Sequence, residues 1–300
     1  MHIAMTGATG FLGSALIARL RGQGDRLTVY ARDPAAARRR LGPDVVVFGN
    51  WEEAPGAVDA VVNLAGAPLI GPRWTARNCT RLRASRIETT RALGQWLARL
   101  ATPPRMLLSG SAIGYYGYSE TQAFVEGDPP GSDFGARLCA DWETAALAAR
   151  LPAMRLCLLR TGVVLHPSGG ALARMLPAFR LGLGGPIGSG RQWLSWIHLD
   201  DWLAAVLHLL GREDLDGPFN LAAPGPVRNA EFARTLAAAL HRPAVLRVPA
   251  LVLRLAVGEG ARLLLEGQQV LPQRLAASGF AFAYPQLPDA LAAGLRGRGL

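Results

Sequence analysis

The sequence predicts an α/β fold: a doubly wound parallel sheet of the Rossmann type with helices on both faces, and a smaller C-terminal lobe. Short β-branched runs alternate with helix-length stretches over the first half of the 300 residues. After about residue 165 glycine and proline become dense, as in 182–190. We therefore expect the sheet domain over 1–165, with 193–222 returning to it. The substrate-side lobe is expected over 166–300.

The apolar runs are the expected strands, and the stretches between them are the expected helices. Strands are predicted at 2–6, 26–31, 45–48, 60–64, 105–109, 155–161 and 219–221. Helices are predicted at 11–23, 34–41, 75–100, 133–150, 202–210, 231–240 and 250–265. Asp33 and Asp133 are the expected N-caps of the helices that follow them, and Asp200 or Asp201 is expected to cap helix 202–210.

Three glycines follow the first predicted strand at a spacing of three: Gly7, Gly10 and Gly13. Gly7 allows a tight turn, Gly10 allows a pyrophosphate to approach the backbone, and Gly13 allows the helix to pack closely on its strand. The helix N-terminus then offers free N–H groups to phosphate oxygens. This pattern between a strand and a helix predicts a dinucleotide-binding loop.

The end of the second strand indicates which dinucleotide is bound. An acidic residue there accepts hydrogen bonds from the ribose 2′-OH of NAD, but Ala31 occupies that position and Arg32 follows it. A guanidinium suits the 2′-phosphate of NADP by charge and geometry. We expect NADP(H) in preference to NAD(H). The alternative is that Arg32 is a solvated charge at the end of the strand.

The composition excludes several mechanisms and partners. The chain contains no lysine, which removes Schiff-base and Walker-type chemistry. Its net charge of +10 is spread along the chain without a nucleic-acid-binding signature, so we expect no nucleic-acid partner. No apolar run is long enough for a membrane span, and we expect no membrane partner. Three cysteines without metal-ligand spacing, in a chain without a signal peptide, fit a cytoplasmic protein with no metal site.

Several segments together resemble a known family. The quoted segments are 6–13 (TGATGFLG), 63–66 (NLAG), 109–112 (SGSA), 113–117 (IGYYG), 160–165 (RTGVVL), 179–190 (FRLGLGGPIGSG) and 196–198 (WIH). They are similar to the extended short-chain dehydrogenases/reductases, and within them to an atypical YfcH-like branch of the epimerase/dehydratase family. Residues 265–272 are similar to that branch's C-terminal extension.

The resemblance implies a set of cofactor-binding residues. The phosphate loop would be formed by Thr6, Gly7, Gly10, Phe11, Leu12 and Gly13. The remaining contacts would come from Ala31, Arg32, Leu64, Ala65, Gly66, Arg86 and Val163.

The sequence departs from the wider superfamily at the catalytic positions. Members with catalytic activity pair a tyrosine with a lysine four residues later, which helps the tyrosine exchange a proton near neutral pH. In this chain those positions are occupied by Gly135 and Cys139. Ser111 remains at the position of the superfamily serine. We expect it to face the active site, with Tyr115 or Tyr116 as the candidate proton donor. The alternative is that both tyrosines pack under the substrate lobe.

The function therefore has two possible interpretations. The first is an NADP(H)-binding oxidoreductase-like protein that acts on an unidentified small molecule, with Arg160, Arg191 and His198 as candidate substrate-binding residues. The second is a non-catalytic NADP(H)-dependent binding or regulatory protein. The sequence does not predict the oligomeric state.

Overall fold

The computed structural model of the protein describes residues 1–71 and 73–296. Its strands are β1 His2–Thr6, β2 Arg26–Tyr30, β3 Val46–Phe48, β4 Ala60–Asn63, β5 Met106–Ala112, β6 Ala123–Phe124, β7 Arg155–Thr161, β8 Val163–His166, β9 Trp193–Leu194, β10 Trp196–His198, β11 Gly217–Leu221, β12 Val227–Arg228 and β13 Gln269–Val270. The last four residues of the lobe expected over 166–300 lie outside the described part of the chain.

Helices occupy most of the segments between the strands. They are α1 Phe11–Gly22, α2 Pro34–Leu41, α3 Ala76–Leu97, α4 Phe134–Ala148, α5 Gly170–Arg180, α6 Leu199–Gly211, α7 Asn229–Ala239, α8 Ala250–Val257, α9 Arg262–Leu265, α10 Gln273–Ala277 and α11 Leu287–Arg296. Two 3₁₀ helices are formed by Ile113–Tyr116 and Gly258–Ala261. No helix in the described ranges is both long and apolar enough to cross a bilayer.

The central sheet has seven parallel strands in the order β11-β7-β5-β4-β1-β2-β3. From β1 the chain runs outward through β2 and β3, then crosses back to β4 and continues to the other edge. The strand order therefore reverses between β1 and β4. In a doubly wound sheet, ligands bind at the carboxyl ends of the strands at this point. The predicted fold class is confirmed.

Helices cover the sheet on both faces. On one face, α1 and α6 pack together and bury Leu16, Leu20 and Trp202 against the strands. On the other face, α3 and α4 pack together and bury Trp96 and Ala146. With apolar layers on both sides, the sheet holds the ends of its strands at fixed positions.

The C-terminal lobe has its own apolar core, formed mainly by α5, α7 and α11. Helix α5 is absent from the sequence-based expectations, because the glycine and proline around it, including Pro177 inside it, indicated loops. The signal was present as Leu172, Leu176 and Phe179, which recur with helical spacing and are all buried in this core.

Two of the helix expectations are wrong. The single helix expected over 250–265 is interrupted, because Gly258 adopts a positive φ of 61° and ends α8. Helix α6 is capped by neither expected aspartate. His198 is its N-cap, and its Nδ1 accepts the Asp200 N–H at 3.2 Å. The Asp201 carboxylate instead accepts the backbone N–H groups of Ala283 and Tyr284.

Candidate functional site

The glycine loop connects β1 to α1 with very close backbone packing. Gly7 has a φ of +70°, and a Cβ there would lie 2.4 Å from the carbonyl oxygen of Leu64. A Cβ on Gly13 would lie 2.2 Å from the carbonyl oxygen of Gly7. Both approaches are shorter than real Cβ contacts, so these two positions require glycine for the fold itself.

Gly10 differs from the other two glycines. It is the N-cap of α1, it is exposed, and a Cβ there would come no closer than 3.2 Å to the carbonyl oxygen of Gly7. No side chain caps this helix, and its first turn contains no acidic residue. The N–H groups of Phe11 and Leu12, two partly exposed residues, therefore have no capping side chain among the described residues. The residues present fit a pyrophosphate at this point.

The end of β2 fits a phosphorylated ribose. The Ala31 N–H donates to the carbonyl oxygen of Phe48 at 3.0 Å, which fixes the backbone here. The Asp33 carboxylate accepts the Ala36 N–H at 2.9 Å, so it caps α2 as predicted. Arg32 is exposed and makes no ion pair with any described residue. The Arg32 guanidinium has no ion-pair partner, and the neighbouring Asp33 carboxylate is already hydrogen-bonded to the start of α2. This arrangement favours an anionic ligand at the end of β2.

A buried ladder of hydrogen bonds holds the ends of β1, β4 and β5 together. The Thr6 hydroxyl donates to Oδ1 of Asn63 at 2.6 Å, and the Asn63 amide donates to Oγ1 of Thr90 and to Oγ of Ser109. Thr6 also accepts the Ala65 N–H. Thr6 was expected to contact the cofactor. Its side chain is fully buried and its hydroxyl is bonded internally, so it positions the loop, and the cofactor contact stays a prediction.

The segment after β4 lies at the same edge of the sheet. Leu64 and Ala65 are partly exposed there, and Gly66 lies against the Arg86 side chain, where a Cβ would be 3.0 Å from Cζ of the guanidinium. Arg86 donates to the carbonyl oxygens of Ala67 and Leu82. It is buried without a carboxylate partner among the described residues, and burial lowers its pKa. A bound polar ligand would compensate this buried cation.

Ser111 belongs to a buried ion-pair network. Its hydroxyl donates to Oε1 of Glu143 at 2.6 Å. Arg160 donates to both oxygens of the same carboxylate, from Nε and Nη2, each at 2.8 Å. The side chains of Glu143 and Arg160 are 7% and 4% exposed. Arg160 was expected to bind an anionic substrate. In the structure its guanidinium is paired with Glu143, and the substrate-binding role stays a prediction.

Tyr115 and Tyr116 have different surroundings, although they are adjacent in one 3₁₀ helix. The Tyr116 hydroxyl donates to Oδ1 of Asn220 at 2.7 Å and accepts from Nη1 of Arg160 at 3.0 Å. Burial raises the pKa of Tyr116 to about 12. Both of these partners are internal, so Tyr116 is the less accessible of the two predicted proton donors.

Tyr115 remains accessible. It is partly exposed, and the Cζ atom of Arg160 lies 3.5 Å from the centre of its ring. No hydrogen bond joins its hydroxyl to another described side chain or backbone group. Of the two phenols, Tyr115 is therefore the one that a ligand can reach.

The positions of the missing tyrosine–lysine pair lie on the buried face of α4. Gly135, Cys139 and Glu143 follow each other at a spacing of four, so they share one helix face. Burial raises the pKa of the Cys139 thiol to about 12, which excludes a thiolate near neutral pH. Glu143 was missed as a network residue. The sequence did contain a signal for this pair. Glu143 lies on the inner face of a predicted helix and Arg160 lies within an apolar strand, and two buried opposite charges are expected to pair.

The remaining candidates lie on the lobe side of the site. Val163 pairs with Trp196 between β8 and β10. Arg191 is exposed and lies 3.7 Å from the Glu120 carboxylate. His198 is buried against the Tyr284 ring, with Nε2 unpaired among the described residues, beside a cavity of about 220 Å³. No cluster of metal-ligating side chains occurs in the described part of the chain.

Comparison with known proteins identifies the family. A model of the NAD-dependent epimerase/dehydratase family matches residues 3–222. The human epimerase family protein SDR39U1 is 39% identical over 97% of this chain and 98% of its own length. The chain belongs to the NAD-dependent epimerase/dehydratase family. Residues 248–293 of this family member also match a domain of unknown function, DUF1731.

Two further relatives extend the likeness. This epimerase-family protein is 40% identical to the chloroplastic SDR39U1 homologue of Arabidopsis thaliana, over 98% of this chain and 86% of that protein. A crystal structure of human SDR39U1 with NADPH superposes with a TM-score of 0.91 at 37% identity, covering 99% of this chain and all of that one. A UDP-galactose 4-epimerase structure, at 19% identity and a TM-score of 0.76, shares the fold.

Proposed function

We propose that this protein is an NADP(H)-dependent oxidoreductase of the epimerase family that acts on a small molecule. The observation that carries the proposal is the uncapped N-terminus of α1 behind Gly10, with the unpaired Arg32 at the adjacent strand end. One anionic site would hold the pyrophosphate and the other the 2′-phosphate. The human relative crystallised with NADPH supports the same cofactor.

The reducing chemistry belongs to the cofactor, which supplies a hydride to a substrate carbonyl carbon when it is bound. The proton for the carbonyl oxygen would come from Tyr115, whose ring lies on the Arg160 guanidinium. A phenol that acts as a general acid needs the correct geometry rather than a depressed pKa. Ser111, bonded to Glu143, would hold the end of β5 in place beneath the reacting group. Leu64, Ala65, Gly66, Arg86 and Val163 would line the nicotinamide half of the site.

A second candidate function is a non-catalytic NADP(H)-binding protein. The observation that favours it is that Gly135 and Cys139 occupy the positions of the catalytic tyrosine and lysine of the superfamily. They provide neither a phenol nor an ammonium group for proton transfer. In this case the fold would use cofactor binding to stabilise one shape of the cleft, and Arg191 and His198 would bind a partner molecule rather than a substrate.

A carbonyl-substrate screen with NADPH, followed by the loss of its absorbance near 340 nm, separates the two functions. We expect turnover that Tyr115→Phe lowers by about two orders of magnitude or more, since general acids contribute about 10²–10⁴-fold. Tyr118→Phe, a substitution of another partly exposed tyrosine, is the matched control. NADPH binding without turnover in the wild type would favour the binding protein, and absence of NADPH binding would reject both.

A further inference from the structure

Helix α8 is an apolar helix that the described residues leave largely uncovered. Leu251, Val252 and Leu255 are 67%, 55% and 67% exposed, and none of the eight residues of α8 is buried. A surface helix of a soluble protein normally buries its apolar side against the core. Helix α8 instead exposes Leu251, Val252 and Leu255 next to Arg254, whereas Leu253 is partly buried.

The apolar surface continues beyond α8 into two neighbouring segments. Leu181 and Leu183 follow α5, and Val245 and Leu246 precede α8, with all four exposed. The segments are packed side by side: Arg242 Nε donates to the carbonyl oxygen of Arg180 at 2.8 Å. Backbone hydrogen bonds also join residues 186 and 188 to residue 248. The exposed leucines and valines therefore form one connected surface rather than scattered side chains.

The charged residues within these three segments are all arginine, and the exposed Glu259, which lines one cavity with Arg254, adjoins the surface. The sequence contains no Asp or Glu between Glu143 and Asp200, and none between Glu231 and Glu259. Four exposed arginines lie among the apolar side chains, and none of them forms an ion pair with a described residue. We call this surface the basic–apolar strip and define its basic part as Arg180, Arg242, Arg247 and Arg254.

The charge decides what can cover the strip. A second copy of the chain would place the same patch against itself across a two-fold axis, and would bring together more arginines than the adjoining Glu259 of each copy could neutralise. Nucleic acid would pair with the arginines but would leave the leucines and valines without an apolar partner. An anionic bilayer surface offers both negative headgroups and an apolar layer just beneath them.

We propose that the basic–apolar strip binds the surface of a membrane that contains anionic lipid. The leucines and valines of α8 enter the boundary between headgroups and acyl chains, and the flanking arginines contact the phosphates. This is a surface contact and needs no spanning helix. The proposal does not depend on the oxidoreductase assignment.

Flotation with lipid vesicles tests the proposal on the full chain. We expect the protein to float with vesicles of phosphatidylcholine mixed with phosphatidylglycerol, not with phosphatidylcholine alone, and to be released by salt. Leu251→Asp with Leu255→Asp should lower binding at least tenfold. Arg247→Gln and Arg254→Gln should each lower it about fivefold, from about 1 kcal/mol per basic residue at an anionic surface.

Matched controls keep the result specific. Leu147→Asp, at a leucine on α4 that is 53% exposed, and Arg99→Gln, at an exposed arginine, should leave vesicle binding unchanged. Circular dichroism confirms that each variant is folded. Three results would overturn the proposal: no binding to the anionic vesicles, equal losses in the control variants, or binding that depends on the arginines but not on the leucines. Dimerisation that Leu251→Asp abolishes would also overturn it, because a second copy would then be the occupant.

Discussion

Arg160 and Glu143 form a buried, two-pronged ion pair between β7 and α4, with both N–O distances at 2.8 Å. The Glu143 carboxylate also accepts the Ser111 hydroxyl, and the guanidinium also donates to the Tyr116 hydroxyl. The guanidinium also lies over the Tyr115 ring. The Arg160–Glu143 pair thus connects Ser111 to both tyrosines of the 3₁₀ helix. The buried side chains beneath the candidate site are therefore held by an ion pair whose two charges neutralise each other inside the protein.

Breaking this pair should destabilise the fold strongly. Glu143→Gln leaves the Arg160 charge buried without a counter-ion, and we expect a loss of about 3–5 kcal/mol in the free energy of unfolding, measured by urea titration. Glu88→Gln, at an exposed pair with Arg91, is the control and should cost less than about 1 kcal/mol. Equal, small losses in both variants would contradict the structural role of the network.

Arg32 should select NADPH over NADH. Charge-assisted hydrogen bonds to a 2′-phosphate contribute roughly 1.5–3 kcal/mol, so calorimetry on Arg32→Ala should show about ten- to a hundredfold weaker NADPH binding. NADH affinity should be nearly unchanged. Arg19→Ala, at an exposed arginine near the far end of α1, is the control. An equal loss for NADPH and NADH would remove Arg32 from the phosphate site.

His198 should make the fold sensitive to acid. Burial lowers its pKa below the ordinary 6.5, and His166 adds to this, whereas Asp200 and Asp201 act in the opposite direction. The unfolded state therefore binds the proton first. The contribution of the neutral His198 to the free energy of unfolding is fully present above pH 6.5. It is lost as the pH falls below 6.5 towards the lower pKa of the folded state.

Urea unfolding one pH unit above and one below 6.5 measures this effect. His198→Asn should reduce the difference between the two conditions, because the asparagine oxygen can still cap α6 but does not titrate. The difference should not vanish, since burial also lowers the pKa values of His2 and His208. An unchanged difference in the variant would show that His198 takes no part.

The three cysteines should react at very different rates. Burial raises the pKa of both Cys139 and Cys157 to about 12, whereas Cys79 is partly exposed. A thiol reagent should therefore modify one site quickly in the native protein and all three after unfolding. Cys79→Ser should remove the fast reaction. A fast reaction that persists in this variant would mean that one of the buried thiols is open to solvent.

The strands of the central sheet and the glycine loop could be predicted because their signals are local, whereas the short strands outside that sheet were missed. The first strand has the predicted bounds of 2–6, and Asp33 and Asp133 cap the predicted helices. Helix 250–265 was predicted as continuous because its apolar residues are nearly unbroken, whereas the conformation of Gly258 interrupts it.

The interior of the candidate site could not be predicted in the same way. Whether Arg160 reaches a substrate or a buried carboxylate depends on Glu143, which lies on another element of the fold. Tyr115 and Tyr116 have the same residue type and adjacent positions, so sequence alone cannot distinguish them. In the folded 3₁₀ helix the Tyr116 hydroxyl donates to Asn220, whereas Tyr115 remains accessible.

The central claim is that NADP(H) binds on the glycine loop, and thermal unfolding of Gly10→Val with and without NADPH tests it most directly. A Cβ on Gly10 meets only the carbonyl oxygen of Gly7, at 3.2 Å, so the variant should fold while its side chain fills the pyrophosphate space. The wild type should gain about 2.7 kcal/mol at a hundred times the dissociation constant. The variant should gain nothing, and an equal gain in the variant would place the cofactor elsewhere.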